Sequence, residues 1–473
     1  MFLFDENYFK SEYREGFLVD SMVKRAWAAQ LEVLGHVIAI CEKYGLTYWA
    51  MWGTLLGAIR HNGYVPWDDD LDIAMKRADY DKFIEVAKEE LPDGYVVMSP
   101  YTEPEWTEQL AKVSNSHSIK FTDDFLDEYH GFPYSAGIDI FPYDYLPDSE
   151  DERNEQANLI NMAVNARKNI LERDELLASG SYNGEMDKTI NEELNSLEHV
   201  FGFEFNRSLY LDNQLLCLID QLSAGYGDSS CEFMTCFGER AKRQAKGGDF
   251  VVPSFLLDEM IDHEFEGFSI KVPKYYELLL SICYGNRFMI PIKAGISAHD
   301  YPFFKEQVEL LREIGRLDEV MEAVERADKR AKYIQREDLP TGEDCEIIDG
   351  TGRKVVMYCM SIIDIFGNEE RALDKLENTL DFFKMNSNQI LLVLLRAPLV
   401  EELLERKSQQ LANRYRDIVD KYIADGYGIV IKAEKIKYVA KYCDAYYGSA
   451  NEYVSFFTKE SKPIMVQNID IIN

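Results

Sequence analysis

The chain has 473 residues, of which 46% are hydrophobic and 13% aromatic. That is enough apolar material for more than one packed domain, and it argues against intrinsic disorder. The formal charge of −33 repels nucleic-acid backbones and anionic membranes except at a local basic patch, so no nucleic-acid partner is expected.

The N-terminal run MFLFDENYFKSEYREGF carries an early acid and no continuous apolar stretch, so it does not read as a signal peptide. Trp27, Leu31, Leu34, Ile38 and Cys41 recur at helical spacing and predict an amphipathic helix ending near Tyr44-Gly45. A strand over 46–51 should follow, then a short glycine-bearing helix and a turn at Asn62-Gly63. Leu71, Ile73 and Met75 alternate with Asp70, Asp72 and Ala74, the pattern of a strand with one acidic face. Strands are also expected over 95–98 and 138–141, and charged helices from 148 to about 222. One long helix is expected over 303–333, with Val308, Leu311, Met321 and Val324 facing inward. The turn-rich segment 339–352 then marks the best boundary. Beyond it, strands over 354–362, 389–396, 428–432 and 463–467 alternate with helical patterns, which predicts a parallel sheet. The expected division is 1–300, a helical linker over 301–352, and 353–473. Nothing in the chain approaches the length of a bilayer span. The eight cysteines form no CxxC pair and read as reduced, mostly buried thiols of a cytosolic protein.

The chemistry concentrates in YWAMWGTLLGAIRHNGYVPWDDDLDIAM, residues 48–75. Asp68, Asp70 and Asp72 at spacing two point to one side of an extended chain. Three like charges on one face call for a cation, and hard oxygen ligands suit Mg²⁺ or Mn²⁺. Taken alone, the triplet is equally compatible with a solvated acidic turn after Pro66. Gly53-Thr54 falls at a strand-to-helix junction, where backbone N–H groups and a hydroxyl can meet a phosphate. Arg60 can offset phosphate charge, or serve in a surface ion pair. In Gly137-Ile138-Asp139-Ile140-Phe141-Pro142, one acid sits in an apolar strand and needs a partner: a metal site or a buried salt bridge. Trp49, Trp52, Trp67 and Trp106 are candidates for an aromatic cage around a quaternary ammonium, although packing is the commoner use of such residues. Arg240, Lys242, Arg243 and Lys246 form a basic cluster that could meet an anionic phosphate or simply coat a helix.

A Gly-Thr pair after a strand, an Asp-x-Asp segment and a further acid on a later strand resemble the nucleotidyltransferase superfamily. The longer string WGTLLGAIRHNGYVPWDDDLDIAM, with GIDIFPYD, FEGFSIKVP and YGNRFMIP, resembles the LicD family over roughly residues 20–295. That resemblance implies a nucleotidyltransferase-like mixed α/β catalytic domain. It implies metal ligation by Asp68, Asp70, Asp72 and Asp139, with Gly53, Thr54 and Arg60 near the donor phosphates. The implied activity is transfer of phosphocholine, or a related phospho-alcohol, from a CDP-alcohol donor to a glycan or lipid-linked glycan acceptor in lipopolysaccharide or teichoic acid biosynthesis. Such an enzyme would be cytoplasmic or peripheral at the inner membrane face, without being an integral membrane protein. Two alternatives stand beside it: a nucleotidyltransferase attaching NMP to a small molecule or protein, and a non-catalytic assembly protein.

Residues 353–473, with KVVMYCMSI, ILLVLLRAPLVEELL and CDAYYGSANEYVSFFTKESKPIMVQN, resemble the donor-binding half of CDP-glycerol glycerophosphotransferase-like proteins, a Rossmann-like α/β domain. The family's Arg-Pro-His-Pro and Gly-Asp-x-Ser-Ser are replaced by Arg396-Ala397-Pro398-Leu399 and Gly448-Ser449-Ala450-Asn451. The lost histidine and serines put independent catalysis in doubt, and leave scaffolding, homo-oligomer formation or acceptor binding as the expected roles.

Overall fold

The structure, a computed structural model, describes residues 2–291, 301–334 and 352–467. They form two compact units. The first is assembled from Met1–Leu55, Tyr64–Pro273 and Gly295–Gln335, the second from Leu56–Gly63, Lys274–Ala294 and Arg336–Asn473. Both are α/β, as expected. The linear division at residues 300 and 353 does not coincide with these units. The chain visits the second unit twice before residue 300, and its described residues from 301 to 334 belong to the first.

In the first unit the long helix α1, Ser21–Tyr44, starts where the Asp20 carboxylate accepts a bond from the Val23 N–H, and stops at Gly45, whose φ of +67° suits glycine. Its buried residues extend beyond the expected stripe to Val33, Val37 and Ile40, so the helix is embedded rather than laid on a surface. Beside it lies a seven-stranded sheet. Its strands are β1 (Tyr48–Ala50), β2 (Asp72–Lys76), β3 (Val96–Met98), β4 (Ala111–Ser114), β5 (Gly137–Leu146), β6 (Phe233–Thr235) and β7 (Val252–Pro253). The main path runs β7-β6-β5-β2-β1, while β4 pairs with both β3 and β5. The ten-residue strand β5 organises this sheet: its first half is held between parallel β2 and antiparallel β4, its far end by β6. The charged segment after β5 is helical as expected, as Glu150–Ala178, Asp187–Phe201 and Leu211–Ala224, around a separate apolar cluster that includes Ile170, Leu194 and Leu215.

The single helix expected over 303–333 is two, Lys305–Glu313 and Asp318–Asp328, with Gly315 at φ +71° between them. The break resets the helical phase. Leu311 remains buried, whereas Met321 is 70% exposed and Val320, Ala323 and Ala327 face inward. Ala323 and Ala327 pack on Leu126 within the first unit. The turn-rich boundary segment lies outside the described residues except for Gly352.

The second unit holds a five-stranded, fully parallel sheet of β8 (Lys354–Cys359), β9 (Ile390–Arg396), β10 (Gly428–Lys432), β11 (Ala445–Gly448) and β12 (Ile464–Val466). The order β10-β9-β8-β11-β12 reverses direction between β8 and β11, the Rossmann-like arrangement. Strand β11 carries no clear alternation and was not expected from the sequence. It is fixed by its neighbours: a Cβ on Gly448 would lie 2.1 Å from the Cys359 carbonyl oxygen, so only glycine lets the two strands approach here. The seven described cysteines are free thiols, four of them buried. No helix among the described residues is long and apolar enough to cross a membrane.

Candidate active site

The first unit gathers its acids where β1 turns into helix α2 (Trp52–His61) and where β2 begins beside β5. The turn is tight: Trp52 has φ +47°, uncommon for a side chain of that size. Gly53 follows because Asp68 fills its neighbourhood. A Cβ there would come 2.2 Å from Asp68 Oδ2. Thr54 is buried, and its hydroxyl oxygen accepts the Asp72 N–H at 2.7 Å, tying the start of α2 to the start of β2. Gly53 and Thr54 thus bear on two of the acids.

Of Asp68, Asp70 and Asp72, only Asp72 lies in a strand. Asp68 and Asp70 belong to the irregular segment before it, and β2 is buried on both faces from Asp72 to Met75 rather than having one acidic face. The acids still converge. In the parallel register Asp72 stands opposite Asp139, and the Asp139 N–H donates to the Leu71 carbonyl at 3.0 Å. Burial first, then the charges of Asp70, Asp139 and Asp68, push the Asp72 carboxyl well above the usual carboxylate range. Lys112 opposes that rise. The structure therefore brings Asp68, Asp70, Asp72 and Asp139 within electrostatic reach of one another.

Asp69 was missed by sequence reasoning. One oxygen from each of Asp68, Asp69 and Asp70 lies within 4.8 Å of the others, but Asp69 is fully buried and accepts the Phe303 N–H, while its carbonyl accepts from Gln30 Nε2 at 3.0 Å. Trp27 Nε1 donates to the Asp68 carbonyl at 3.1 Å. Asp69 thus anchors the acidic segment to α1 and to the chain at Phe303. Its only signal was the run of three aspartates. Lys112 was missed as well: it pairs across β4–β5 with Asp139, its Nζ 2.9 Å from Asp139 Oδ1. A lone lysine in the small, apolar string Ala-Lys-Val-Ser was its signal. Glu108, pushed up by burial and by Asp139, also feels Lys112 and Lys242.

The later motifs hold the site loop. Glu266 accepts the Tyr64 N–H at 3.1 Å and an Arg14 bond at 2.6 Å, and Tyr64 stacks on Trp27 with ring centroids 4.6 Å apart. FEGFSIKVP therefore braces the turn that delivers Asp68–Asp70. Arg60 is nearly buried; its Nη1 donates to the Phe288 carbonyl at 2.7 Å and its Nε to His61 Nε2 at 2.9 Å, both within the second unit. These contacts engage it with YGNRFMIP. Of the tryptophans, Trp49 is fully buried against Tyr143, Trp106 is bonded to the Leu110 carbonyl, and Trp52 and Trp67 pack on phenylalanines. In the basic cluster Arg240 pairs with Asp249 and Arg243 with Glu239, both at 2.8 Å.

Chemically, the acids of the first-unit site offer an all-oxygen ligand set, and among the described residues Lys112 is the cation paired to Asp139. Such a set fits a hard divalent cation, which would offset the burial and the neighbouring charges that raise Asp72.

The second unit has acids too, at the carboxyl ends of β8 and β11, where open α/β sheets bind ligands. There the chain itself supplies donors to them. Asp364 accepts the Ser361 N–H at 3.1 Å and the Ser449 hydroxyl, and Ser449 Oγ accepts the Ser361 N–H at 2.9 Å. Glu277, on the Tyr276–Tyr284 helix, is held by Ser361 and the Ile362 N–H, and burial followed by the Glu452 charge pushes its carboxyl up to about 8. Tyr276 donates to Glu452 at 2.8 Å. Arg396, in the place of the resembled family's Arg-Pro-His-Pro, pairs with Glu401 at 2.6 Å.

Comparison with known proteins meets the first site. Residues 45–154 match the family described as LicD/FKTN/FKRP, nucleotidyltransferase domain. The lipopolysaccharide cholinephosphotransferase LicD of Haemophilus influenzae is 25% identical over 274 residues, 57% of this chain and 92% of that protein. The human ribitol 5-phosphate transferase FKRP is 41% identical over 44 residues, 9% of each chain. An uncharacterised protein of Rickettsia typhi is 34% identical over 90 residues, 18% of this chain and 29% of that protein. The chain carries a LicD-family domain.

Proposed function

We propose that this protein is a metal-dependent transferase that moves phosphocholine, or a related phospho-alcohol, from a CDP-alcohol to a sugar hydroxyl of a cell-surface glycan precursor. The observation that carries this reading is the register Asp72 opposite Asp139, with Asp68 and Asp70 beside them, inside the stretch that matches the LicD family. The activities of two relatives, cholinephosphotransferase and ribitol 5-phosphate transferase, share transfer of a phospho-alcohol and suggest the reaction class.

In this reading the acceptor hydroxyl oxygen forms a bond to the phosphorus bearing the alcohol, and the bond from that phosphorus to the CMP oxygen breaks. Asp139, which stands opposite Asp72, would accept the hydroxyl proton. Asp70, Asp72 and Asp139 are the residues that would hold Mg²⁺ or Mn²⁺, with Asp68 as a further ligand or an orienting carboxylate. The cation would supply charge neutralisation at the phosphoryl oxygens. Gly53 and Thr54 set the start of α2 so that its N–H groups face the donor phosphates. The enzyme would act in the cytoplasm, where CDP-alcohols are made available to it, and no membrane span is needed for that role.

The test is release of CMP from CDP-choline, CDP-ethanolamine, CDP-glycerol and CDP-ribitol with Mg²⁺, set against release of pyrophosphate from CTP. CMP from one CDP-alcohol in the presence of acceptor is expected. Pyrophosphate from CTP would convert the reading to nucleotidyl transfer, and no turnover or metal binding at all would leave an assembly protein.

A further inference from the structure

Lys112 differs from the other cations around the acids. Its strand β4 is otherwise buried, and antiparallel pairing sets it directly across from Asp139, on the same face. Its stem has a place prepared for it. A Cβ on Gly137 would lie 3.1 Å from Lys112 Cε and 2.9 Å from the Val113 carbonyl oxygen, so the glycine at the head of β5 keeps the path clear. The ammonium end is not sealed in: 37% of the Lys112 side chain is exposed, against 20% of Asp139. A purely structural buried pair closes on itself and satisfies its remaining protons inside the protein. This pair opens onto the acidic site, where its charge also reaches Asp72 and Glu108.

We propose that Lys112 is a donor-binding residue: it holds a phosphate oxygen of the CDP-alcohol, and before the donor arrives it rests on Asp139, at an oxygen that a divalent cation would take. The inference deepens the transferase reading and rests on it. An ammonium on a flexible four-carbon stem, with three rotatable donors, can exchange a carboxylate for a nearby phosphate oxygen at little conformational expense. Lys112 and the cation compete for Asp139. A cation that takes the carboxylate releases the lysine, and an incoming phosphate captures it. Cation and donor therefore strengthen each other's binding, and the coupling is reciprocal.

The experiment uses the full chain, with Mn²⁺ and CDP as probes, and compares wild type with Lys112→Met and Lys112→Arg. Mn²⁺ affinity is measured with and without CDP, CDP affinity with and without Mn²⁺, and the thermal midpoint alongside. In Lys112→Met, Mn²⁺ alone should bind more tightly than in wild type. CDP in the presence of Mn²⁺ should bind about 10- to 100-fold more weakly, the worth of one charge-assisted hydrogen bond, and the mutual enhancement should vanish. Lys112→Arg keeps the charge and should recover most of the CDP affinity. Lys112→Gln is the second neutral variant should the methionine variant fail to fold. A folded neutral variant with a lower thermal midpoint but unchanged Mn²⁺ and CDP affinities would mark a structural ion pair and overturn the role given to Lys112. Wild type that binds neither probe would overturn the transferase reading together with this one.

Discussion

Each unit carries a cluster of buried or half-buried acids at the end of a central strand, and the two clusters differ in the groups that surround the buried carboxyl. In the second unit, Asp364 and Glu277 accept bonds from hydroxyls and backbone N–H groups of their own chain, and burial followed by the Glu452 charge pushes the Glu277 carboxyl up to about 8. In the first, Asp68, Asp70, Asp72 and Asp139 face one another with Lys112 as the cation paired to Asp139. Internal satisfaction of every acid is what a structural cluster needs. Three further carboxylates gathered around the buried Asp72 suit instead a hard cation supplied from outside the chain. The contrast separates a site from a joint, and it can be tested from both sides.

The largest effect is expected at Asp72. Asp72→Asn keeps the shape, and its backbone bond to Thr54 remains, while one charge of the cation-holding set is lost. CMP release should fall by on the order of 10²–10³ or more, and the metal-free thermal midpoint should hold level or rise as repulsion is relieved. Near-normal turnover would sink the assignment of the site.

Next comes Glu277. Its folded carboxyl titrates near 8 against an ordinary value of 4.5. Below pH 4.5 both folded and unfolded chains hold the proton and nothing is lost. Between 4.5 and 8 the unfolded chain ionises first, so stability falls as pH rises, and it levels off above 8. At 1.36 kcal/mol per pH unit the ceiling is roughly 5 kcal/mol. Glu277→Gln should flatten the urea-unfolding midpoint between pH 5 and 8 without changing the CDP affinity of the first unit. A variant whose midpoint falls with pH as steeply as wild type would show that Glu277 is not the group responsible.

Gly53→Ala should cost about 1–3 kcal/mol, because the new methyl must displace Asp68. It should also weaken Mn²⁺ binding if Asp68 belongs to the ligand set. An alanine variant with unchanged metal affinity would reduce Asp68 to a bystander.

The smallest effect on chemistry is expected at Arg60. Arg60→Met leaves the Phe288 carbonyl without that donor and should cost about 1–3 kcal/mol of stability, while the KM for the CDP-alcohol stays level. A KM that rises with stability unchanged would restore the phosphate-binding role suggested by sequence.

The second unit also changes how its dispensability must be tested. A chain ending near residue 335 keeps Tyr275, Tyr276 and Glu277 but loses Glu402, Glu452 and Ser361, their partners. Such a truncation strips a unit of its matrix rather than removing a domain, so point substitutions are the sounder probes.

The sequence alone determined the aspartates, the Gly53-Thr54 junction, the parallel character of the second sheet and the family of the first domain. Each of these is written in local spacing: alternate acids near a strand, a glycine where chain meets chain, β-branched runs between helices. Tertiary structure decided what depends on residues far apart in the chain. It set Lys112 opposite Asp139, turned Asp69 inward to the Phe303 N–H, gave Arg60 to Phe288, and wove two early segments into the later unit. It also split the 305–328 region at Gly315, so that Met321 faces solvent. Cross-strand partners and inserted segments are selected by which surfaces bury one another, and that free energy is summed over contacts no local window contains.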